Sequence, residues 1–412
     1  MSRRIGMIAA AVGALLLIGS LVWSAAAVPQ LVRFPLTTNV TLHYSGSLVT
    51  YVDARTGAAL ATPSSAPLAI ERSMRALPSE STSSTAVVAE HVVTRSGSTT
   101  DVQNNRYAID RRNMDEVASP RAFSFSARYP GASPGSYYVN LPMDLKAGTT
   151  TLRIWKPETG TTYPLVPLKG GAQPASLYGL RVDWFSGVLP MTPVTDYERA
   201  ALRAEGLPMS IPPSRVEAKL TASGVSVSKL SAALLPVLTP LETKQVVTVL
   251  STPVSLRYYS FGSGLVAAEP RTGAIVALKN VVDGIAAAPA TNGIDTLLTV
   301  LSHHRSVAGV PAAMASLRRL AAAAPAPVYE LRYTQTPASV AGMVRTTNQQ
   351  ISRIELAKLW IPTGLAALGA VLFIGGGAVI VRRRTPRATK SGVSRSPVRP
   401  RSGPTAEKEP AA

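Results

Sequence analysis

The sequence predicts an α+β protein: a β-rich mixed extracytoplasmic domain flanked by an N-terminal and a C-terminal transmembrane helix. Residues 5–28 and residues 359–381 carry no charged side chain. Each segment exceeds the roughly 20 apolar residues that cross a bilayer as a helix. Between them, patterns typical of strands outnumber patterns typical of helices. These observations together define the fold class.

Arginines flank both apolar segments. Arg3 and Arg4 precede the first segment, and three arginines at 382–384 follow the second. Positively charged flanks remain in the cytoplasm, so we predict a multi-pass cell-membrane protein with two spans and both termini cytoplasmic. The predicted organisation is an N-terminal transmembrane helix or signal peptide (1–28), a β-rich extracytoplasmic domain (29–335), a juxtamembrane helix (336–358), a C-terminal transmembrane helix (359–381) and a disordered basic cytoplasmic tail (382–412).

The first apolar segment has a second interpretation. Ala25, Ala26 and Ala27 form a small-residue pattern of the kind that precedes signal-peptide cleavage, here after Ala27. The apolar stretch is longer than the roughly 7–15 residues usual in a signal peptide, which favours an uncleaved signal-anchor. Both interpretations place the following domain outside the cytoplasm.

Charge and cysteine content exclude several classes of function. The net charge is +19, but part of this excess lies beside the apolar segments. The outer region faces a compartment without nucleic acid, so we expect no nucleic-acid partner. A mildly basic outer surface suits anionic lipids or acidic cell-wall polymers, and solubility explains it equally well. The absence of cysteine excludes thiol catalysis, cysteine-ligated zinc and a lipid anchor on cysteine.

Alternating patterns predict the strands of the outer region. In residues 121–129, Phe123, Phe125 and Tyr129 share one face while Ser124 and Arg128 occupy the other, as in a half-buried strand. Weaker patterns predict further strands at 149–155, 180–185, 246–250, 254–261, 274–282 and 328–334.

Helices and loops follow from capping and composition. Asp196 is a possible cap for a helix over 197–204, and mixed apolar spacing predicts helices at 225–235 and 295–320, the latter broken near Pro311. Thr336 as N-cap and Pro337 at the first helical position predict the juxtamembrane helix, with a kink near Pro362. Proline, serine or alanine enrichment predicts loops at 61–85, 206–214 and 321–327.

One pattern recurs along the outer region. Residues 42–49 (LHYSGSLV) precede DARTGA at 53–58, and residues 258–266 (YYSFGSGLV) precede EPRTGA at 269–274. Residues 156–160 (KPETG) form a partial third copy. The physical interpretation is a strand, a tight turn with glycine at positive φ, and a returning strand. Repeated turn chemistry explains the pattern better than gene duplication.

Candidate catalytic and metal-binding patterns are weak, so we predict a non-enzymatic protein without cofactor. The GASPG sequence at 131–135 places Pro134, which has no N–H, where a nucleophile elbow needs a donor. His303 and His304 are adjacent and poorly placed to chelate one metal. A cluster of carboxylates beside two arginines is interpreted as a solvated ion-pair patch (Asp110, Asp115, Glu116, Arg111, Arg112). Two further weak patterns are an S-x-x-K match at 226–229 and a glycosylation sequon at 39–41. No catalytic, cofactor-binding or metal-binding residue is predicted, and ligand-binding residues are not identified.

Several short sequences occur in an order that resembles a known envelope family. They are RRIG at 3–6, VPQLVRFP at 28–35, YYVNLP at 137–142, IWKP at 154–157, YGLRVDWF at 178–185, EPRTGA at 269–274 and IPTG at 361–364. Together they resemble the actinobacterial PorA-type porin family over about residues 1–382. The resemblance implies a cell-envelope location in a mycolate-type bacterium and channel formation, and it offers no catalytic residues.

Physical arguments favour a different function for the outer domain. A transmembrane barrel needs strands of about ten residues with an apolar outer face, whereas the predicted strands are short and only 6% of the chain is aromatic. We therefore expect an envelope protein that binds a lipid or cell-wall component or acts as a scaffold, with channel formation as the alternative. Expected partners are the lipid bilayer, a lipid or cell-wall polymer, and a second copy of the chain in a homo-oligomer. Small residues spaced by four, such as Ala9 and Gly13, would allow the first helix to pack closely on another.

Overall fold

The computed structural model describes residues 2–53, 58–117, 119, 123–124, 127–128, 135–145, 151–169, 173–222 and 224–382. The chain divides into two compact units. One comprises the terminal segments Met1–Val28 and Lys358–Ala412, and the other is Pro29–Ala357. The predicted α+β class is confirmed: the second unit contains a large curled sheet with helices, and the first contains two apolar helices.

The terminal unit pairs two apolar helices. α1 (Ser2–Val22) continues through a π-helical turn, Trp23–Ala27, into α2 (Val28–Leu31). At the other end of the chain, α10 spans Ile361–Arg382. Segments within Met7–Gln30 and within Pro337–Ile380 are long and apolar enough to cross a membrane.

Glycines bring α1 and α10 into close contact. A Cβ on Gly13 would lie 2.6 Å from the carbonyl oxygen of Gly369, and one on Gly369 would lie 2.8 Å from the carbonyl oxygen of Gly13. Ser20 also donates a 2.8 Å hydrogen bond to the carbonyl oxygen of Pro362. The small residues of the first helix therefore serve the close packing that their spacing predicts.

Within the described residues, the second unit is built on a fourteen-stranded sheet. Its longest strands are β1 (Asn39–Val52), β2 (Ala59–Ala76), β3 (Thr85–Ser96), β4 (Thr99–Asp110), β12 (Asp183–Pro193), β14 (Val254–Ala268), β15 (Ile275–Pro289) and β16 (Ala326–Gln335). The shorter strands are β5 (Phe123–Ser124), β6 (Ala127–Arg128), β7 (Ser136–Tyr137), β8 (Leu152–Lys156), β9 (Thr161–Pro167), β10 (Ser176–Leu177), β11 (Leu180–Arg181) and β13 (Ser210–Ile211). The sheet order is β6-β5-β4-β3-β2-β1-β16-β15-β14-β12-β9-β8-β7, β13 pairs with β14, and β10 and β11 form a separate ribbon.

A short segment links β4, near one end of the strand order, to β7 at the other end. Glu116 forms an antiparallel bridge with Ile109 on β4, and its N–H donates a 2.8 Å hydrogen bond to the carbonyl oxygen of Ser136 on β7. Val117 adds a 2.8 Å hydrogen bond to the carbonyl oxygen of Ala108. The sheet therefore encloses an interior.

The repeated turn pattern links neighbouring antiparallel strands, as predicted. The DARTGA turn connects β1 to β2, although residues 54–57 lie outside the described part of the chain. The partial copy connects β8 to β9, with Gly160 at φ +63°. The EPRTGA turn connects β14 to β15, with Gly273 at φ +68°. Glu269 Oε2 accepts hydrogen bonds of 2.8 Å from both the N–H and the hydroxyl of Thr272.

Five helices form a separate apolar core beside the sheet. They are α4 (Pro213–Ala222), α5 (Val227–Leu234), α6 (Pro240–Ser251), α7 (Asn292–His303) and α8 (Val310–Ala321). The predictions at 225–235 and 295–320 are confirmed, including the break before Pro311. We call this set the helical subdomain. Its core includes Leu234, Leu297 and Leu317.

Two further helices pack on the sheet. α3 spans Asp196–Ala204, and Thr195, not Asp196, is its N-cap. α9 (Pro337–Glu355) begins at the predicted N-cap Thr336 and buries Val340, Val344 and Ile351 against the sheet. A π-helical turn at Leu356–Trp360 precedes α10, and the kink near Pro362 stays a prediction.

Two elements were predicted wrongly. Residues 246–250 are β-branched like a strand, but Thr239 and Glu242 form a capping box that begins α6, because each side chain satisfies a backbone N–H of the first turn. Residues 61–85 were predicted as a loop, yet most belong to β2. Residues 59–67 pair only with β1, so the prolines there occupy an edge, where a missing N–H is tolerated.

The remaining predicted strands and loops agree in part with the structure. Strands at 254–261, 274–282 and 328–334 are confirmed within β14, β15 and β16, and 149–155 and 180–185 coincide with β8, β11 and the start of β12 where described. The loop at 206–214 contains β13 and the start of α4. Residues 121–122, 125–126, 129–134 and 383–412 lie outside the described residues, so most of the strand at 121–129, the GASPG motif and the disordered tail remain predictions.

Candidate functional site

Alternate residues of the long strands point into the curled sheet. On β3 and β4 these include Glu90, Asn105 and Tyr107, and on β2 they include Arg72. Because side chains alternate between the two faces of a strand, the register places Glu90 directly opposite Asn105. The interior therefore receives polar side chains from several neighbouring strands.

Glu90 is the centre of one interior cluster. Its side chain is buried and accepts hydrogen bonds from three donors: Arg72 Nε at 2.5 Å, Asn105 Nδ2 at 2.9 Å and the Tyr107 hydroxyl at 3.0 Å. The guanidinium of Arg72 lies 5.2 Å from the ring centroid of Tyr138. A buried carboxylate is stable only when charges and donors compensate its lost hydration, and here they do.

Lys156 is the centre of a second cluster. Its Nζ lies 2.9 Å and 3.1 Å from the two carboxylate oxygens of Asp283, and 3.5 Å from Oε1 of Glu158. Lys156 and Glu158 belong to the KPETG turn, while Asp283 lies on β15. The turn that repeats in the sequence thus also contributes charged groups to the interior.

Burial changes the pKa values of groups in this interior. Burial opposes the charge of Lys156, but Asp283 and Glu158 outweigh this effect and raise its pKa. Burial and the neighbouring Glu158 raise the pKa of Glu198, on α3, to about 8. Burial likewise raises the pKa of Tyr163 to about 12. Burial therefore shifts the protonation equilibria of several groups in the interior.

The two clusters face the same space. Two adjoining cavities of about 190 Å³ each occupy the interior. Arg72, Tyr138, Lys156 and Asp283 line both cavities. Nη2 of Arg72 and Oε2 of both Glu158 and Glu198 have no hydrogen-bond partner among the described residues. These three residues line the first cavity, and the three unpaired atoms are themselves buried.

Three of the strands that flank this interior, β1, β3 and β14, have a polar outer face. Its exposed residues on β1, β3 and β14 are Asn39, Thr41, His43, Ser45, His91, Arg95, Ser255 and Arg257. Lipid-facing strands of a transmembrane barrel carry apolar side chains on the outside and polar ones inside. These three strands have the polar interior without the apolar exterior.

The weak catalytic patterns of the sequence do not meet in this interior. Asp110 accepts N–H groups of its own turn, with Arg112 N at 2.7 Å, and Arg111 Nε donates to the carbonyl oxygen of Phe34 at 3.0 Å. Glu116, on the short segment that links β4 to β7, is 1% exposed. The solvated ion-pair patch was therefore predicted wrongly, because strand closure buries Glu116 and turns engage its neighbours.

The two histidines lie in the helical subdomain. His303 Nδ1 and His304 Nε2 lie 3.1 Å and 3.3 Å from the two carboxylate oxygens of Glu242. Among the described residues, no group of three or more potential metal ligands occurs. These contacts link the C-terminal end of α7 to the first turn of α6.

The interior residues Arg72, Glu90, Lys156 and Asp283 were not identified from the sequence. A usable signal was present in residues 85–110, where charged and amide side chains alternate with apolar ones on strands long enough to have one enclosed face. Lys156 and Glu158 were noticed only as turn residues.

Comparison with models of protein families identifies the family of this chain. The model of the family described as porin PorA matches residues 5–378. The chain belongs to the porin PorA family. The resemblance inferred from the short sequence motifs is thus confirmed. A search among curated proteins finds no match.

Membership of the porin PorA family agrees with an envelope protein. The match includes both apolar terminal helices and the whole of the curled sheet. The two helices fit a membrane location with two spans.

Proposed function

We propose that this protein is a non-enzymatic, two-span envelope protein whose outer domain binds a polar cell-wall component inside the curled sheet. The observation that carries the proposal is the interior of the sheet with its two charged clusters, in which Arg72, Glu158 and Glu198 each have a buried polar atom without a hydrogen-bond partner among the described residues. Carboxylates, a guanidinium and tyrosine hydroxyls together suit a hydroxyl-rich ligand such as a sugar. An acyl chain would leave these groups without hydrogen bonds, at a cost of about 1–3 kcal/mol for each.

Binding of cell-wall oligosaccharides tests this proposal. Full-length protein in detergent is titrated calorimetrically with neutral and acidic oligosaccharides released from cell walls. Glu158→Gln removes a charge from the interior without changing its shape, so we expect about tenfold weaker binding. Glu217→Gln, on the exposed side of α4, is the matched control. Equal binding by both variants, or no binding by the unchanged protein, would contradict the proposal.

The proposed location follows from the apolar helices and their arginines. We propose that α1 is retained as a signal-anchor, since its close contact with α10 at Gly13 and Gly369 would be lost on cleavage after Ala27. Both termini are then cytoplasmic and the second unit is extracytoplasmic. A cytoplasm-dependent reporter should function at Ala412, and an export-dependent reporter should function after Pro29. Export activity at Ala412 would contradict this topology.

Channel formation is the second candidate function. The family description and the two adjoining cavities with their charged clusters support it. A channel through the sheet would conduct through the interior, so the charged clusters would set its ion selectivity. The polar outer face of β1, β3 and β14 argues against insertion of the sheet itself into lipid.

A further inference from the structure

The helical subdomain contains an apolar cavity of about 220 Å³. All but two of its lining residues are aliphatic, and the exceptions are Ser231 and Thr243. A closed cavity of about 150 Å³ with a comparable lining is large enough to bind benzene. The space therefore suits a flexible hydrocarbon group.

The cavity opens to solvent between α5 and α6. Leu235 and Val247 line the cavity and yet are 59% and 56% exposed. Val237 and Leu241, in the same stretch of chain, are 46% and 66% exposed. Single exposed apolar residues are ordinary, but a group of them beside an apolar cavity is typical of a binding site.

Positive charge lies at this opening. Lys244 is exposed on α6, one helical turn from both Leu241 and Val247. Lys244 forms no salt bridge with a described residue.

The acidic residue of α6 is already engaged. Glu242 Oε2 accepts the N–H of Thr239 at 2.9 Å, and its two oxygens contact His303 and His304. Its charge therefore stabilises the helix start and the contact with α7. The charge left uncompensated at the opening is positive.

We propose that this cavity binds the acyl chain of an anionic amphiphile. The chain enters between Leu235 and Val247, and the anionic head group stays in solvent beside Lys244. Burying the exposed leucine and valine side chains against the chain provides the affinity. This site is separate from the polar interior of the sheet and does not depend on its function.

Photolabelling of the full-length protein tests the proposal. The probe is a diazirine analogue of palmitic acid, added to protein in detergent, and labelled peptides are located by mass spectrometry. We expect labels on residues 225–250 and on 297–317. Ser231→Trp fills the cavity and should reduce this labelling about tenfold, equivalent to about 1.4 kcal/mol. Ala233→Trp, exposed on the same helix, should leave labelling unchanged.

Two further variants address folding and charge. Ala313→Leu narrows the cavity from α8 and should also reduce labelling. A reduction in both variants would show that labelling falls because the cavity is filled, and not because Ser231→Trp disturbs the local fold. Lys244→Glu should weaken labelling by the fatty-acid probe but not by the corresponding fatty-alcohol probe.

Three outcomes would overturn the proposal. One is labelling confined to the two terminal apolar helices, which would indicate partition into detergent only. Another is equal labelling of Ser231→Trp and Ala233→Trp. The third is a homodimer of the probe-free protein that Ser231→Trp dissociates, since the opening would then receive a second copy of the chain.

Discussion

Arg72 and Glu90, on neighbouring strands, form a 2.5 Å charge-assisted hydrogen bond inside the curled sheet. Arg72 also lies over the ring of Tyr138, and Glu90 also accepts from Asn105 and Tyr107. The pair thus connects β2, β3 and β4 through one buried carboxylate. Such an arrangement is costly to break, because either partner alone would be a buried charge.

A double-mutant cycle measures the coupling energy between Arg72 and Glu90. Arg72→Met should reduce the free energy of unfolding by about 3 kcal/mol, since it leaves Glu90 uncompensated. The same substitution in a Glu90→Gln background should cost less, giving a coupling energy of about 2 kcal/mol. Denaturant unfolding provides both values, with Arg95→Met on the outer face as control. Strict additivity would show that the pair does not stabilise the fold.

Gly273 makes the turn between β14 and β15 possible. A Cβ at this position would lie 2.0 Å from the carbonyl oxygen of Leu141, and the residue has φ +68°. Gly273→Ala should therefore destabilise the domain by about 3 kcal/mol or more. Gly97→Ala, at φ +57° with open space around it, should cost only about 1 kcal/mol. Equal losses in thermal unfolding would show that the close approach to Leu141 is unimportant.

Glu116 should make stability depend on pH. Burial raises its pKa from 4.5 to about 8. In the unfolded chain the carboxyl loses its proton near pH 4.5, so between these values the folded state binds more protons than the unfolded state. Its contribution is fully present below pH 4.5 and is lost as the pH rises through 8.

Glu116→Gln should remove this dependence. At pH 9 the variant should be more stable than the unchanged protein by about 5 kcal/mol, and at pH 4 the difference should nearly vanish. Unfolding curves across this pH range provide the comparison. A variant that is less stable at pH 9 would contradict the assignment of a neutral carboxyl on the segment that links β4 to β7.

The contact between the two terminal helices depends on Gly369. Because the chain lacks cysteine, cysteines placed at Ser20 and Pro362, which share a hydrogen bond, report on this contact by disulfide formation in membranes. Gly369→Leu should strongly reduce the disulfide yield, since its side chain would meet Gly13 and Leu17. Gly375→Leu has open space and should not. The disulfide-linked peptides are quantified by mass spectrometry. Equal disulfide yields for Gly369→Leu and Gly375→Leu would exclude the glycine contact.

The sequence predicted local features well and long-range ones poorly. Thr336 and Pro337 determine the start of α9 by themselves, and Gly160 and Gly273 determine the two repeated turns whose glycines the structure describes. The interior arises differently, because Arg72 and Lys156 meet the same cavities only through strand register and closure of the sheet. A shift of one residue would turn each side chain to the other face. No local pattern specifies that register, so the site was missed.

Conductance separates ligand binding from channel formation most directly. Full-length protein is reconstituted in planar bilayers, with Glu158→Gln and Glu217→Gln measured in parallel. A ligand-binding outer domain anchored by two helices predicts no stepwise currents for any of the three proteins. Reproducible current steps whose ion selectivity changes in Glu158→Gln, and not in Glu217→Gln, would contradict the account and establish the interior of the sheet as a conducting path.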